Sequence, residues 1–117
     1  MTNLKPKRGE IWLVNLDPVI GKEISKTRPC LVMQSDLMNE VLRTTMIAPI
    51  TSTVKDNWPF AITVEKGECG LKNKSMILFN QIKTTDVSRF IKKLGTISNE
   101  KMKQAETALL ISFNIKI

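Results

Sequence analysis

Residues 8 to 36 read Arg8-Gly-Glu-Ile-Trp-Leu-Val-Asn-Leu-Asp-Pro-Val-Ile-Gly-Lys-Glu-Ile-Ser-Lys-Thr-Arg-Pro-Cys-Leu-Val-Met-Gln-Ser-Asp36. Within this stretch Asp17, Lys22, Glu23, Lys26 and Arg28 lie between two apolar runs, residues 11–16 and 30–33. Charged groups on a loop beside rigid strands are a frequent setting for function. A carboxylate such as Glu23 can accept a proton, and Lys22 and Lys26 flank it so as to keep it ionised. The Arg28 guanidinium can grip two phosphate oxygens in parallel, which a lysine cannot do. Pro29 restricts Arg28 towards extended backbone. Farther along, Thr51, Ser52 and Thr53 supply hydroxyl donors, and the amides of Asn80 and Gln81 can both donate and accept towards base edges. Trp58, in a polar loop, can stack on an unpaired base, a contact worth about 1–3 kcal/mol. The chain has no histidine, so the usual acid–base side chain and the commonest metal ligand are both missing. No metal site and no cofactor are expected.

Each of these residues also has a plainer use. Arg28 can pair with Glu23 or Asp17 merely to pin the loop, and Glu23 can be a solvated surface acid. Thr51 can close a strand-end turn through its hydroxyl. Trp58 can pack against the rim of the sheet, and Trp12 belongs to a core or a dimer interface.

The elements that must hold these groups are short and β-like until the last quarter. Strands are expected at 11–16, 30–33, 44–50, 60–64, 75–83 and 90–96, from apolar alternation and β-branched content. Residues 35–43 read as a loop with a helical turn, 51–59 as a polar loop, 66–70 as a turn and 84–88 as a brief helical turn. Ser98 caps a helix to residue 113, with Met102, Ala105, Leu109 and Ser112/Phe113 in one apolar stripe. Many short strands followed by one helix predict a mainly β (α+β) fold, a small curved barrel with a C-terminal helix.

The 117 residues make a single domain, 1–117, with a modest core. Eighteen basic residues against eleven acidic ones give a net charge of +7, spread along the chain. Such a field favours polyanions, although a basic surface with no nucleic-acid partner has the same composition. Cys30 and Cys69 form no CxxC pair and read as free thiols in a reducing cytoplasm. No run approaches a membrane span or a signal segment, and a cytoplasmic protein without membrane contact is expected.

The block at 8–36 resembles the opening of the MazF/PemK family of toxin endoribonucleases. The shared features are the Gly-Glu-(Ile/Val)-aromatic start, the Asp/Ser-Pro-x-x-Gly loop, the glutamate and the closing Arg-Pro. Weaker echoes follow in Ile47-Ala-Pro-Ile-Thr51, Trp58-Pro-Phe60 and Ile77-Leu-Phe-Asn-Gln-Ile-Lys-Thr84. The resemblance implies an SH3-like barrel (CcdB/MazF/PemK-like) with a C-terminal helix, a homodimer with an RNA groove across its interface, and a cognate MazE-like antitoxin. It also implies a sequence-specific, metal-independent endoribonuclease acting on single-stranded RNA through 2′-hydroxyl attack.

That reaction needs a base for the 2′-hydroxyl, positive charge for the phosphorane and a donor for the leaving 5′-oxygen, all held in advance. By resemblance Arg28 is catalytic, Glu23 is a base, and Thr51 is important for cleavage in the Gram-positive MazF branch. Lys22, Lys26, Ser52, Thr53, Trp58, Asn80 and Gln81 are the candidate RNA-binding residues. The sequence departs from the family at Asn80, where many relatives carry an acid. In the plasmid-borne Kid branch catalysis was assigned to that acid, an arginine two residues before it and a histidine in the first loop. Here those positions are Asn80, Leu78 and Lys22, so that machinery is absent. A toxin of the same fold that inhibits a protein such as gyrase is the competing reading, since fold alone does not determine function.

Overall fold

Apolar residues on both faces of the first strand are divided between two cores. In the computed structural model, which describes residues 4–116, β1 (Glu10–Asn15) sends Ile11 into one cluster and Trp12 and Val14 into another. A register shift against the neighbouring strand β7 (Phe90–Thr96) falls between Ile11 and Trp12, the local irregularity by which a curved sheet changes face. In β2 (Thr27–Val32), Leu31 joins the first cluster while Cys30 and Val32 join the second. Trp12 is buried there edge-on to Phe90, with ring centroids 5.6 Å apart.

The capped helix α1 (Asp36–Val41) lies in the stretch expected to hold one helical turn, and the Ser35 side chain accepts the Met38 N–H. Strand β3 (Thr44–Thr51) is the spine of the fold. It pairs with β2, with β6 (Lys83–Asp86) through residues 44–47, and with β5 (Ser75–Leu78) through Ile50 and Thr51. β4 (Ala61–Val64) lies outside β5. All pairings are antiparallel, in the order β4-β5-β3-β2-β1-β7 with β6 on β3.

Two glycines let the far ends of this sheet meet. The 3-10 turn Glu68–Gly70 abuts β7 so closely that a Cβ on Gly70 would collide with the Leu94 carbonyl, and one on Gly95 with the Cys69 carbonyl. Only residues without side chains permit that approach. It draws the sheet into the expected small barrel.

Helix α2 (Asn99–Ser112) begins at Ser98, whose side chain accepts the Lys101 N–H at 3.1 Å. It buries Ala105 and Ala108 in the first cluster, with Met102 and Leu109 packed beside them. Phe113, expected in that stripe, is instead the exposed C-cap, and Ala108 occupies the inward position. Arg8 ties the helix to the sheet, donating to Glu106 at 2.8 Å and to the Met33 carbonyl at 3.1 Å.

Three further expectations are corrected. The run 75–83 is not one strand: the 3-10 turn Phe79–Gln81 divides it into β5 and β6. β5 and β6 pair with opposite ends of β3, so the chain must bend between them, and the buried Phe79 anchors the bend. Residues 84–86 are therefore strand, and the expected helical turn is displaced to Val87–Arg89. β2 begins at Thr27, three residues earlier than the apolar run, because Thr27 and Arg28 pair with Asn15 and Val14. Arg28 thus belongs to a strand.

Candidate functional site

The loop between β1 and β2 is closed at its neck by its own polar groups. The Leu16 amide donates to the Lys26 carbonyl at 2.9 Å, and the Asp17 carboxylate accepts the Lys26 amide at 2.9 Å. Arg89 reaches in from the far side to the Asn15 and Asp17 carbonyls. Lys26 takes a positive φ of 69° at this pinch. Asp17 is thereby committed to loop geometry rather than to Arg28.

Farther out, Ile24 packs against the second cluster while its amide donates to Gln81 Oε1 at 2.7 Å. The loop is thus fastened to the 3-10 turn that follows β5. Through this contact Lys22, Asn80 and Gln81 come to line one cleft of about 280 Å³ together with Arg28, Thr51 and Trp58. Seven of the ten candidate residues are gathered or adjoin here, since Thr53 lines it too.

Arg28 Nε donates to the Ser25 carbonyl at 2.8 Å, which orients the guanidinium. No carboxylate lies within ion-pair distance of it among the described residues, so its two terminal nitrogens are open to the cleft. Pairing with Glu23 or Asp17 is therefore not what holds Arg28. The Thr51 hydroxyl accepts the Thr53 amide at 3.1 Å, the strand-end turn anticipated for it. That bond uses only an oxygen lone pair, and the hydroxyl proton is left to donate. The structural and chemical uses of Thr51 are compatible.

Trp58 packs on Phe60 with ring centroids 5.0 Å apart, yet is 38% exposed. It both packs on the rim and offers a face to the cleft. Glu23 lies apart from Arg28 and Thr51. It lines an adjoining cleft of about 520 Å³ that shares Lys22, Ile24, Asn80 and Gln81 with the first, and one carboxylate oxygen accepts the Ile20 amide at 3.3 Å. Lys26 lines neither cleft, and Ser52 lines a third one on the other side of Thr51.

Lys55, absent from the candidate residues, lines the first cleft beside Trp58. A cation three residues before an aromatic in a polar loop was the available signal. Leu78 also lines it. Cys30, though near Arg28 in sequence, is inert as a nucleophile: burial pushes its thiol up to about 12.

Chemically, the first cleft joins an unpaired guanidinium, a free hydroxyl donor, two further cations, two amides and an exposed indole. Such a set suits a phosphodiester flanked by unpaired bases.

Known proteins share both sequence and shape with the chain. Residues 7–113 match the model of a family described as PemK-like, MazF-like toxin of type II toxin–antitoxin system. An endoribonuclease MazF from Staphylococcus saprophyticus subsp. saprophyticus is 36% identical over 110 residues, covering 93% of this chain and 92% of that protein. The crystal structure of MazF (Form-I) from Deinococcus radiodurans superposes with a TM-score of 0.84 at 22% identity, over 97% of this chain and 100% of that one. An endoribonuclease in complex with its cognate antitoxin from a mycobacterial species gives a TM-score of 0.80 at 17% identity, over 96% and 98%. At these identities the two solved structures speak for the fold.

Proposed function

Since this chain belongs to the PemK-like, MazF-like family of toxins of type II toxin–antitoxin systems, we propose that it is an endoribonuclease that cuts single-stranded RNA in the cleft around Arg28 and Thr51. The observation that carries this reading is the Arg28 guanidinium, held by the Ser25 carbonyl with its terminal nitrogens unpaired, on a wall shared with the Thr51 hydroxyl. In the reaction the ribose 2′-oxygen bonds to phosphorus, the 2′-hydroxyl proton passes to a base, and the P–O5′ bond breaks as the 5′-oxygen gains a proton. The products are a 2′,3′-cyclic phosphate and a 5′-hydroxyl. Arg28 and Thr51 stabilise the charge that builds on the non-bridging oxygens, where preorganised donors act most strongly. We assign the base to Glu23, the acid of the adjoining cleft, which the β1–β2 loop must bring to the 2′-hydroxyl, since among the described residues no acid lines the first cleft. Trp58, Asn80 and Gln81 contact bases, and Lys22 and Lys55 contact phosphates.

The same reading includes a MazE-like antitoxin, attracted by the net charge of +7 and supported by the antitoxin complex of a relative with this fold. It includes a homodimer, since α1 leaves Leu37 and Val41 exposed; sedimentation showing a stable monomer at micromolar concentration removes that part. Among the described residues no helix is long and apolar enough to cross a membrane, and the cytoplasm, where messenger RNA is found, is the proposed compartment.

The test is incubation of the purified protein with a long RNA, with and without excess chelator, followed by end mapping. Cuts at a recurring short sequence, undiminished by chelator and leaving cyclic phosphate and 5′-hydroxyl ends, are expected. Dependence on a divalent ion, or 5′-phosphate ends, overturns the mechanism.

A further inference from the structure

Arg28 and Thr51 have a second side. Besides the cleft that holds Trp58, Asn80 and Gln81, a separate cleft of about 360 Å³ opens against them, and among the described residues these two are the only ones common to both. They therefore form a dividing wall. On the far side Leu13, Pro29, Ile50, Leu71 and Leu94 give the lining an apolar floor. Its polar members include Lys72, Asn73 and Lys92, all exposed.

Among the described residues no acid lines this second cleft. Neither lysine is within ion-pair distance of a carboxylate, and the Asn73 side chain has no hydrogen-bond partner, among the described residues. An apolar floor with unspent polar groups around it is a usual form of a ligand site, and the volume of this one lies in the customary range of roughly 300–1,000 Å³. Its floor is fixed by the barrel itself. Gly70, whose close approach to Leu94 closes the sheet, lies at its edge.

We infer that this second cleft receives the nucleoside on one side of the cut phosphodiester, while the Trp58 cleft receives the nucleoside on the other. The inference rests on the proposed cleavage at Arg28 and Thr51. A phosphodiester gripped on a wall between two clefts has one nucleoside on each side of it, and both clefts offer what an unpaired base needs. The apolar floor takes the ring, and the Asn73 amide, which both donates and accepts, faces the base edge. Lys72 and Lys92 neutralise the next phosphate along the strand. Asn73 is thus a specificity-determining residue for one position beside the cut. An apolar side chain of a protein partner is the rival occupant of the cleft.

Randomised RNA cut by the unaltered protein and by Asn73→Ala tests the inference. Asn73→Ala is expected to relax base preference at one position adjoining the cut at least fivefold, leaving the other positions unchanged. Lys92→Ala should weaken binding of a 2′-deoxy, uncleavable RNA about threefold, and less at high salt. With 5-iodouracil placed in turn on each side of the cut in that RNA, one position should crosslink to residues 70–73 or 92–94, and the other to the Trp58 side. Crosslinks confined to the Trp58 side, with unchanged preference in Asn73→Ala, overturn the second subsite while leaving the cleavage reading intact; they are the outcome expected if a protein partner is the occupant. An unaltered protein that cuts no RNA overturns both.

Discussion

The Ile24 amide donates to Gln81 Oε1 at 2.7 Å, joining two residues that are 57 positions apart in the chain. The bond fixes the β1–β2 loop on the turn after β5, and with it the relation of Lys22 to Asn80. Gln81, whose amide could otherwise read a base edge, thus has at least half of it committed to holding the site together.

Removing this bond should loosen the loop more than the fold. Gln81→Ala is expected to cost about 1 kcal/mol of stability, the net value of one hydrogen bond, and to slow cleavage roughly tenfold through misplacement of the loop. Gln81→Glu keeps an acceptor for Ile24 and should recover the melting temperature. Thermal melts and single-turnover cleavage on the same samples check this, and a Gln81→Ala protein that cuts normally refutes it.

Arg28→Ala should lower the cleavage rate by on the order of a hundredfold or more, as loss of a preorganised partner of the transition-state oxyanion does. Arg28→Lys should regain little, because a point charge cannot supply two parallel hydrogen bonds. Arg28 lies on β2 with its Nε bound to the Ser25 carbonyl, so a modest fall in stability, about 1 kcal/mol, is expected as well. RNA affinity measured on an uncleavable analogue should fall far less than the rate. Activity lost only in proportion to unfolding removes Arg28 from the mechanism.

Glu10 should contribute to acid sensitivity. Burial alone would raise its pKa, but hydrogen bonds from the Trp12 indole and the Lys7 amide, together with Lys93 at 3.0 Å, hold it below the usual carboxylate value. A carboxyl depressed on folding contributes stability above its unfolded pKa, and that contribution is lost as pH falls through the folded value. Glu10→Gln should therefore lower stability near neutrality by on the order of 1–2 kcal/mol and flatten its decline below about pH 4.5. Denaturant unfolding across pH 2.5–7 reads the slope; parallel curves for the two proteins contradict the assignment.

Gly95→Ala should be strongly destabilising although alanine is small. Its Cβ would meet the Cys69 backbone, which cannot swing aside as a side chain would. A cost of about 1–3 kcal/mol is expected from such overpacking. The mutation should also disturb the second cleft, which Gly70 and Leu94 line. Equal melting temperatures for Gly95→Ala and the unaltered protein would show that the sheet ends separate freely.

Much of this architecture is written in local patterns. Alternation marks β4 and, weakly, β1, β-branched content marks β3, and Ser98 marks the start of α2, because strand faces and helix caps depend on residues only a few positions apart. The types of the reactive residues are equally local, and so is the family resemblance at residues 8–36, which the match over residues 7–113 supports. The break at Phe79–Gln81 was hidden, since residues 75–83 do not by themselves reveal that their two halves pair with opposite ends of β3. The position of Arg28 in β2 was hidden as well, because it follows from pairing with Val14 rather than from its own neighbours. Sequence proximity suggested that Glu23 and Arg28 act side by side, whereas the folded chain joins Arg28 with Thr51, Trp58 and Asn80 and turns Glu23 to the adjoining cleft. Which residues share a cleft depends on contacts between distant segments, and no spacing along the chain encodes them. The closure by Gly70 and Gly95 belongs to the same class: a glycine in the sequence is only an absence of side chain, and the backbone that needs the room comes from elsewhere in the fold.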